Sequence, residues 1–477
     1  MLRKHCNRWL LIVVCVLLLS ACIPYSFSPP KEVHIDPGDS VSQAQIAVDT
    51  EGVSHIVGVV DDRIVYYRTR YGEPIITATF TMSGSGTDWK QYSPGIAVTD
   101  NRTAYLVWIE QRGGPEKFAC YRALTYVPPI GGWTKYCNPL DGNIQTTGNV
   151  KVIARGDKAY AVYDRMYTGD SNGRIGELMY KELTNPSITG HVHWYTEYFE
   201  TGFIYSLDLG IDSLGYLHVG FHDNYTYTGS PPFTKRISLH SNASVNASND
   251  MAQHWFIYEG NELDEVVPVS LSFHLDSADV ERVALASISQ GSPTIDLIYI
   301  DSCVADGCTD QNSHLVELPS SWDTYSAISD VEILGIDRTL YLSFIGDDYT
   351  TPNVQVYLKE AYLSSGPKQI SEDLDSSKWK LEMTAVNNRE PSWPLTLPAT
   401  AWIESIELPF SGVYQHKYIA YDGWDVNTMV FQGTCVTSTR YGDIHSNGNY
   451  FSGVWEFCGE TWFTTQAWTN QLPLIMK

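Results

Sequence analysis

Apolar and polar residues alternate in short runs that recur along the chain with the same order of features. The first run, 45–61, has an apolar strand, a turn at 49–52 and a second strand of alternating apolar residues. A turn rich in Asp, Asn or Gly between two alternating segments is typical of a β-hairpin. Seven such runs occur, of which the fifth and seventh match least well. They are 45–61, 95–110, 150–164, 207–223, 269–289, 331–347 and 395–404.

A third strand follows most of these hairpins, and a tryptophan often precedes a further strand. The third strands are predicted at 64–68, 178–181, 297–300, 354–358 and 418–421, and the tryptophans are Trp89, Trp133, Trp194, Trp255, Trp322 and Trp379. Four strands repeated in this way predict an all-β fold, a β-propeller of seven four-stranded blades, with six or eight blades as alternatives. Two stacked β-sandwich domains would explain the strands but not the single recurring pattern.

The two ends of the predicted domain, 33–477, lack a clean copy of the hairpin. Residues 425–477 are predicted to be strands of the final blade with decoration, and an independent C-terminal domain is the alternative. Propellers commonly close by mixing strands from both chain ends, so the segment 33–35 is a candidate N-terminal contribution to that closure.

The N-terminus predicts export. Arg3, Lys4 and Arg8 precede the apolar stretch 10–19, which is too short for a spanning helix and is typical of a secretory signal peptide, predicted at 1–21. The sequence Leu-Ser-Ala-Cys at 19–22 resembles the lipobox of bacterial lipoproteins. That resemblance implies acylation of Cys22, a tether over 22–32, and a lipid-anchored protein on the bacterial cell membrane or cell surface, outside the cytoplasm. A plain signal peptide or an N-terminal anchor helix is the alternative.

Six cysteines remain after Cys22, and they form three couples that are close in sequence. Cysteines in this arrangement predict disulfides that each close one loop in an oxidising compartment. A metal site is the alternative, although no couple has the Cys-x-x-Cys spacing of zinc sites. The couples are Cys120 with Cys137, Cys303 with Cys308, and Cys435 with Cys458.

Charge narrows the range of partners. The chain has 31 basic and 55 acidic residues, which gives a net charge of −24. Nucleic acid requires a basic footprint, so it is excluded as a partner, and electrostatic attachment to anionic lipid headgroups is excluded for the same reason. Cations, cationic ligands and neutral glycans remain as partners.

The hairpin sequence also resembles a known family. The first repeat, with Ile46-Ala-Val-Asp49, His55-Ile-Val-Gly-Val59 and Tyr66-Tyr-Arg68, is similar to repeats of bacterial sialidase-like propellers, a superfamily with many non-catalytic binding proteins. Degenerate copies of the family's Asp-box lie at 371–379 and 81–89. The resemblance implies that these boxes form turns between third and fourth strands, away from any active site.

A catalytic site of that family would need three converging arginines, a tyrosine with a carboxylate neighbour, and a carboxylic acid. Six arginines lie in or near the hairpins, but nothing in the sequence selects three of them, so no catalytic residue is predicted. They are Arg63, Arg102, Arg155, Arg165, Arg282 and Arg338.

One positional regularity suggests a binding site. The second strand of six runs ends on a carboxylate, and in a propeller these six would surround one face, while Ser289 is the exception. Oxygen ligands of this kind suit Ca²⁺, and an acidic mouth would attract a cationic partner. Alternatively, each carboxylate accepts hydrogen bonds from the amides of its own turn. The six are Asp61, Glu110, Asp164, Asp223, Asp347 and Glu404.

The sequence therefore predicts an exported lipoprotein whose β-propeller binds a glycan or protein ligand, and Ca²⁺ is the one candidate cofactor. The alternative is a carbohydrate-active enzyme, either a glycoside hydrolase or a polysaccharide lyase. A cluster of Arg, Tyr and carboxylate side chains in the central funnel would favour the enzyme.

Overall fold

The computed structural model describes strands and tight turns between residues 32 and 464, and none of the described residues is helical. No helix in the described part has the length and apolar character needed to cross a membrane. Residues outside the description, apart from the two chain ends, are 35–40, 50–52, 61, 71–75, 80–88, 115, 126–136, 142–149, 168–173, 198–203, 226–233, 259–268, 276–277, 280, 290–293, 301–302, 305–306, 309–310, 317–327, 347–353, 362–366, 372–376, 388–395, 408–413, 422–425, 433–452 and 458–459.

The strands fall into seven four-stranded sheets, numbered in chain order, with short additional strands at both ends of the chain. Strand β1 (Glu32–His34) precedes sheet 1. Sheet 1 contains β2 (Val41–Val48), β3 (Val53–Val60), β4 (Arg63–Arg70) and β5 (Ile76–Thr79). Sheet 2 contains β6 (Trp89–Val98), β7 (Ala104–Arg112), β8 (Lys117–Leu124) and β9 (Asn138–Pro139). Sheet 3 contains β10 (Val150–Arg155), β11 (Lys158–Tyr167), β12 (Arg174–Glu182) and β13 (Thr189–Glu197). Sheet 4 contains β14 (Ile204–Ile211), β15 (Leu217–Tyr225), β16 (Thr234–Val245) and β17 (Met251–Tyr258).

The remaining sheets follow the same order, with one small insertion. Sheet 5 contains β18 (Val269–Leu275), β19 (Glu281–Ser289), β20 (Thr294–Ile300) and β23 (Gln311–Val316), between which β21 (Cys303–Val304) and β22 (Gly307–Cys308) form a separate hairpin. Sheet 6 contains β24 (Ile328–Ile336), β25 (Thr339–Gly346), β26 (Gln355–Glu360) and β27 (Lys368–Gln369). Sheet 7 contains β28 (Ser377–Asn387), β29 (Thr396–Glu407), β30 (Tyr414–Tyr421) and β31 (Val426–Gln432). The last strands are β32 (Gly453–Phe457) and β33 (Glu460–Thr464).

Within every sheet the four strands pair antiparallel in chain order, and the first strands of consecutive sheets contact one another. The fold is therefore all-β and is built from small repeated antiparallel sheets, as the sequence predicts. Two ends of each sheet matter below. The first-turn end is where the first strand turns into the second, and the second-turn end is where the second strand turns into the third.

Six of the seven predicted hairpins coincide with the first two strands of a sheet, but the seventh prediction was wrong. Within 395–404 the described residues belong to one strand, β29, whose partner β28 lies before the connection 388–395. That connection has eight residues, more than a tight hairpin turn contains, so the sequence pattern of the other six hairpins does not recur here.

The implied location of the Asp-boxes was also wrong. Ser371 follows β27, the fourth strand of sheet 6, and Trp379 lies in β28 of the next sheet. The segment 81–89 likewise follows β5, the fourth strand of sheet 1, and ends at the start of β6. Both segments therefore connect consecutive sheets and do not form the third turn within a sheet.

Apolar cores lie between the faces of neighbouring sheets. Val57 and Tyr66 of sheet 1 pack with Leu106 and Trp108 of sheet 2, and similar clusters join the later neighbours up to Trp402 of sheet 7. Successive side chains of a strand point to opposite faces of its sheet, and each face packs against a different neighbouring sheet. Strands that are covered on both faces therefore carry long apolar runs. Full burial of each large side chain contributes about 1.5–3 kcal/mol to the free energy of unfolding.

Polar side chains link the first strands of consecutive sheets. Asp208 Oδ2 in β14 accepts a hydrogen bond from the Leu271 amide of β18 at 2.7 Å, and Asp330 Oδ2 in β24 accepts one from the Leu381 amide of β28 at 3.2 Å. These bonds satisfy amides at a strand edge that has no neighbouring strand. Burial raises the pKa of Asp208, although Lys151 and two backbone amides oppose that rise. Further bonds of this kind are Ser206 to Val269, Ser270 to Ile333 and Ser272 to Gly335.

Both chain ends contribute to one three-stranded terminal sheet, in the order β1, β33, β32. Val33 lies opposite Phe463, so the predicted N-terminal segment does pair with strands from the C-terminal region. Strand β32 contacts β2 of sheet 1. Strand β31 is the fourth strand of sheet 7, whereas β32 and β33 belong to the terminal sheet. The number of blades and the domain boundaries stay predictions.

Candidate ligand-binding site

Two members of the predicted carboxylate ring have described side chains, and both are buried. Glu110 near the end of β7 is 0% exposed and Asp164 near the end of β11 is 1% exposed. Asp223 and Glu404 lie on strands whose side chains at these positions are outside the description. Asp61 and Asp347 also lie outside the described residues. Neither described carboxylate lines an open face, so the Ca²⁺ site stays a prediction.

Glu110 instead joins sheets 1 and 2 at their second-turn end. Its Oε1 accepts a 2.7 Å bond from Arg112 Nε, and its Oε2 accepts a 3.1 Å bond from the side-chain amide of Gln91. The Gln91 Oε1 atom in turn accepts a bond from the Ile64 amide at the start of β4. Arg112 also lies 4.7 Å from the Phe118 ring centroid. A buried carboxylate with these partners holds the packing of two sheets.

A second buried carboxylate, Glu177, has a similar structural role in sheet 3. Arg165 on β11 lies opposite Glu177 on β12, and its Nη2 atom is 2.7 Å from Glu177 Oε2. The Nη1 atom of Arg165 bonds Asp141 of sheet 2 at 2.5 Å. His191 on β13 lies 3.6 Å from Glu177 Oε2 and 3.8 Å from Asp250 of sheet 4. This polar chain therefore connects sheets 2, 3 and 4.

Burial controls the ionisation of this chain. It raises the pKa of the Glu177 carboxyl, and the Arg165 guanidinium only partly opposes that rise. Burial also lowers the pKa of His191, in the direction that Arg165 favours, while Asp250 and Asp141 act in the opposite direction. The ion pair is thus poorly hydrated and serves to hold the sheets together.

Three of the six candidate arginines each pair with a carboxylate. Arg165 pairs with Glu177 and Asp141, Arg155 pairs with Glu281, and Arg338 pairs with Asp279. These arginines are engaged separately in sheets 3 and 6, so they do not form a shared carboxylate-binding triad. Arg63 is exposed, and Arg102 and Arg282 are partly buried.

An open cavity of about 330 Å³ lies at the first-turn end of sheets 3, 5 and 6. We call it the first-turn cavity. It is lined by Arg155, Ser272, Phe273, His274, Leu275, Glu281, Gly335 and Asp337. Its size lies at the lower end of the range for small-molecule sites. It lies at the opposite end of the sheets from the predicted carboxylate ring.

Arg155 bridges two sheets that are not consecutive and forms one wall of the first-turn cavity. Its Nη1 atom donates to the Ile211 carbonyl of sheet 4 at 2.8 Å and to Glu281 Oε1 of sheet 5 at 3.1 Å. The guanidinium lies 5.9 Å from the centroid of the partly buried Phe273 ring. An arginine can span sheet 4 in this way only where the first-turn ends of sheets 3, 4 and 5 converge.

Glycines allow the close packing that forms this wall and the cavity floor. A Cβ atom on Gly210 would lie 2.6 Å from the Phe273 ring, so glycine leaves room for the aromatic side chain. A Cβ atom on Gly335 would lie 1.7 Å from the Phe273 carbonyl oxygen, and only glycine avoids this clash. The Gly335 amide donates to Ser272 Oγ at 2.9 Å. The cavity is therefore built from three tightly packed hairpins.

Asp337 lies at the turn between β24 and β25 and forms the opposite side of the cavity. Its backbone has a φ of 50°, a conformation that Asp and Asn adopt more readily than most residues. Its carbonyl accepts a 2.6 Å bond from the Leu275 amide of sheet 5. Asp337 is exposed, and among the described residues no hydrogen bond to its carboxylate is found. It is available to a ligand.

One predicted disulfide is present, between Cys120 and Cys137, with their Cα atoms 5.2 Å apart. Cys303 and Cys308 lie opposite each other in the register of β21 and β22, while Cys435 and Cys458 lie outside the described residues. In the described part of the chain, one set of three possible metal-ligand atoms lies within 4.8 Å, that of Glu110, Cys120 and Cys137. Because its two sulfur atoms are bonded to each other, it is not a metal site here.

Sequence reasoning did not identify Phe273, Glu281 or Asp337 as site residues. All three lie just before or after a first turn, so the hairpin pattern does give their position along the chain. The pattern does not show that these residues lie close together in space, because Phe273 and Gly335 come from sheets about 60 residues apart in sequence. Their proximity arises from packing between sheets.

No protein-family model matches the chain, and no curated protein matches it. Among solved structures, it is similar to the polysaccharide lyase Uly1, with 9% identity, 76% of this chain and 86% of that chain covered, and a TM-score of 0.38. An α-L-arabinanase of Penicillium chrysogenum has 9% identity, 71% and 92% coverage, and a TM-score of 0.32. Trypanosoma rangeli sialidase has 9% identity, 93% and 94% coverage, and a TM-score of 0.32. Similarities at this level carry no argument about function.

Proposed function

We propose that this chain is an exported bacterial lipoprotein, acylated at Cys22, whose sheets close into a β-propeller that binds a glycan in the first-turn cavity. The sequential contacts of the seven sheets, and the convergence that Arg155 requires, support the closed ring. The lipobox resemblance at 19–22 supports the lipid anchor. We propose binding and not catalysis, because Arg155, Arg165 and Arg338 pair with carboxylates at separate places and do not form a triad.

The observation that carries the glycan proposal is the composition of the first-turn cavity. Phe273 supplies apolar surface, the guanidinium of Arg155 supplies donors, and the carboxylate of Asp337 supplies acceptors. Sugars combine an apolar ring face with hydroxyl groups that both donate and accept hydrogen bonds, so they match an aromatic side chain beside polar groups. A few polar groups around apolar surface are typical of small-molecule sites.

The binding test is a thermal-shift screen of the protein purified from membranes in detergent, against a panel of oligosaccharides. A ligand of the folded state raises Tm, and at 100 times Kd it adds about 2.7 kcal/mol to the free energy of unfolding. We expect a shift with at least one sugar and its loss in Arg155→Met. The matched control is Arg338→Met, another exposed arginine paired with a carboxylate, which should keep the shift.

Two results would contradict this proposal. If no sugar shifts Tm, the cavity does not bind glycans and a protein ligand becomes the better hypothesis. If a sugar shifts the Tm of Arg155→Met as much as that of the wild type, the glycan binds elsewhere.

The lipid anchor has its own test, metabolic labelling with a palmitate analogue followed by purification of the chain. We expect label in the wild type and its loss in Cys22→Ser. Cys15→Ser alters a cysteine of the same N-terminal segment and should keep the label. Label that survives in Cys22→Ser would overturn the anchor proposal.

A further inference from the structure

We infer that the first-turn cavity selects neutral sugars and rejects acidic ones such as uronic and sialic acids. This inference rests on the proposed glycan-binding function and adds the ligand class. It depends on the balance of charge around the cavity and on which polar atoms remain available to a ligand.

The single guanidinium of the cavity is already neutralised. Arg155 Nη1 lies 3.1 Å from Glu281 Oε1, and the other oxygen of Glu281 accepts a hydrogen bond from the Ser213 amide. The Glu281 side chain is only 16% exposed, so the carboxylate is held in place on both of its oxygens. A ligand carboxylate would have to displace Glu281 from Arg155 or share the guanidinium with it. Either arrangement places two negative groups next to each other.

A second carboxylate, Asp337, lines the same cavity, so the carboxylates of the lining outnumber its one guanidinium. Its side chain faces solvent at the rim, and no described residue with a positive charge pairs with it. The neighbouring Arg338 points its guanidinium to Asp279 instead, at 2.7 Å. Two carboxylates and one guanidinium thus repel an anionic sugar. The same Asp337 oxygens can accept hydrogen bonds from two hydroxyl groups of a neutral sugar.

The electrostatic potential of the whole chain also favours neutral over acidic sugars. The net charge of −24 produces a negative potential that lowers the local concentration of anionic ligands. A neutral sugar experiences no such repulsion. It can place a ring face on Phe273 and hydroxyl groups against Arg155 and Asp337, and it adds no further negative charge to the cavity.

The test compares Kd values by isothermal titration calorimetry, with the protein purified from membranes in detergent. Neutral probes are galactose, glucose, mannose and fucose, and acidic probes are galacturonic, glucuronic and N-acetylneuraminic acids. We expect the best neutral sugar to bind at least about tenfold more tightly than any of the three acidic probes at low salt. Because the selectivity is electrostatic, added salt should reduce the difference.

Asp337→Asn isolates the charge of one residue, because Asn also tolerates the positive φ of this turn. We expect weaker binding of the neutral sugar and a smaller preference over the acidic one. Asp62→Asn is the matched control, since Asp62 also has a positive φ and an exposed carboxylate at a turn, but lies in sheet 1 and does not line the cavity. Its affinities should equal those of the wild type.

The outcomes separate the inference from the proposed function. Binding of acidic sugars as tight as that of neutral ones, or an unchanged preference in Asp337→Asn, overturns the neutral-sugar inference while glycan binding stands. Failure of every sugar to bind overturns the proposed function, and the inference with it.

Discussion

Two of the guanidinium–carboxylate pairs in the described part of the chain have similar chemistry and different surroundings. Arg165 and Glu177 lie inside sheet 3, with side chains 11% and 0% exposed. Arg155 and Glu281 lie at the first-turn end, with side chains 46% and 16% exposed. The buried pair joins sheets and its charges have little contact with water. The exposed pair borders a cavity, and its arginine can still reach a ligand, so burial distinguishes structural from ligand-binding charges here.

The largest expected effect is a difference in the free energy of unfolding between variants of the two pairs. Arg165→Met removes the partner of both Glu177 and Asp141, and leaving a buried carboxylate without its partner costs about 3–5 kcal/mol. Arg155→Met removes an exposed partner, for which about 0–1 kcal/mol is expected. Urea denaturation of the two variants and the wild type measures both values. Equal losses would show that burial does not distinguish the pairs.

A smaller effect distinguishes two carboxylates by the sign of their pH dependence. Burial raises the pKa of Glu177 above its usual value, so the folded state binds a proton more tightly than the unfolded chain. The stability of the wild type relative to Glu177→Gln should therefore be greatest at acidic pH. It should fall as pH rises from the usual Glu range through the raised pKa.

Asp212 at the first turn of sheet 4 should show the opposite slope. Burial alone would raise its pKa, but the bond from His218 at 3.0 Å, with the backbone amides of Leu214 and Tyr216, lowers it below its usual value. The wild type should have a larger free energy of unfolding than Asp212→Asn at neutral pH, and this difference should be lost as pH falls through the lowered pKa. Thermal unfolding from neutral to acidic pH measures both slopes, and slopes of the same sign would contradict the assignment.

Much of the fold was predictable from sequence because it depends on local patterns. Alternation and turn-forming sequences such as 49–52 and 212–215 predict six hairpins, because both features depend only on residues that are neighbours in sequence. The seventh sheet was not predicted correctly, because its first two strands are joined by the long connection 388–395. Local patterns also gave the Cys120–Cys137 couple, which lies within one sheet.

The candidate site was less predictable, for a physical reason. Carboxylates at the ends of second strands suggested an exposed ring, but Glu110 points into the contact between two sheets, where Arg112 and Gln91 satisfy it. The strand pattern predicts the face of the sheet on which a side chain lies. It does not predict which residues of the next sheet pack against that side chain. Phe273 and Asp337 come together only because sheets 5 and 6 pack closely at Gly335.

The terminal sheet has a consequence for how the protein would stand on a bilayer. Strand β1 lies at the edge of that sheet farthest from β32, and the tether 22–32 leads directly into it. A semi-extended tether, as predicted from the sequence, would span about 30 Å at roughly 3.1 Å per residue. In the lipid-anchored form that we propose, the attachment point is at the side of the ring. If the sheets close into the ring that we propose, neither the first-turn end nor the second-turn end would face the attachment point, and the first-turn cavity would be accessible from the surrounding medium.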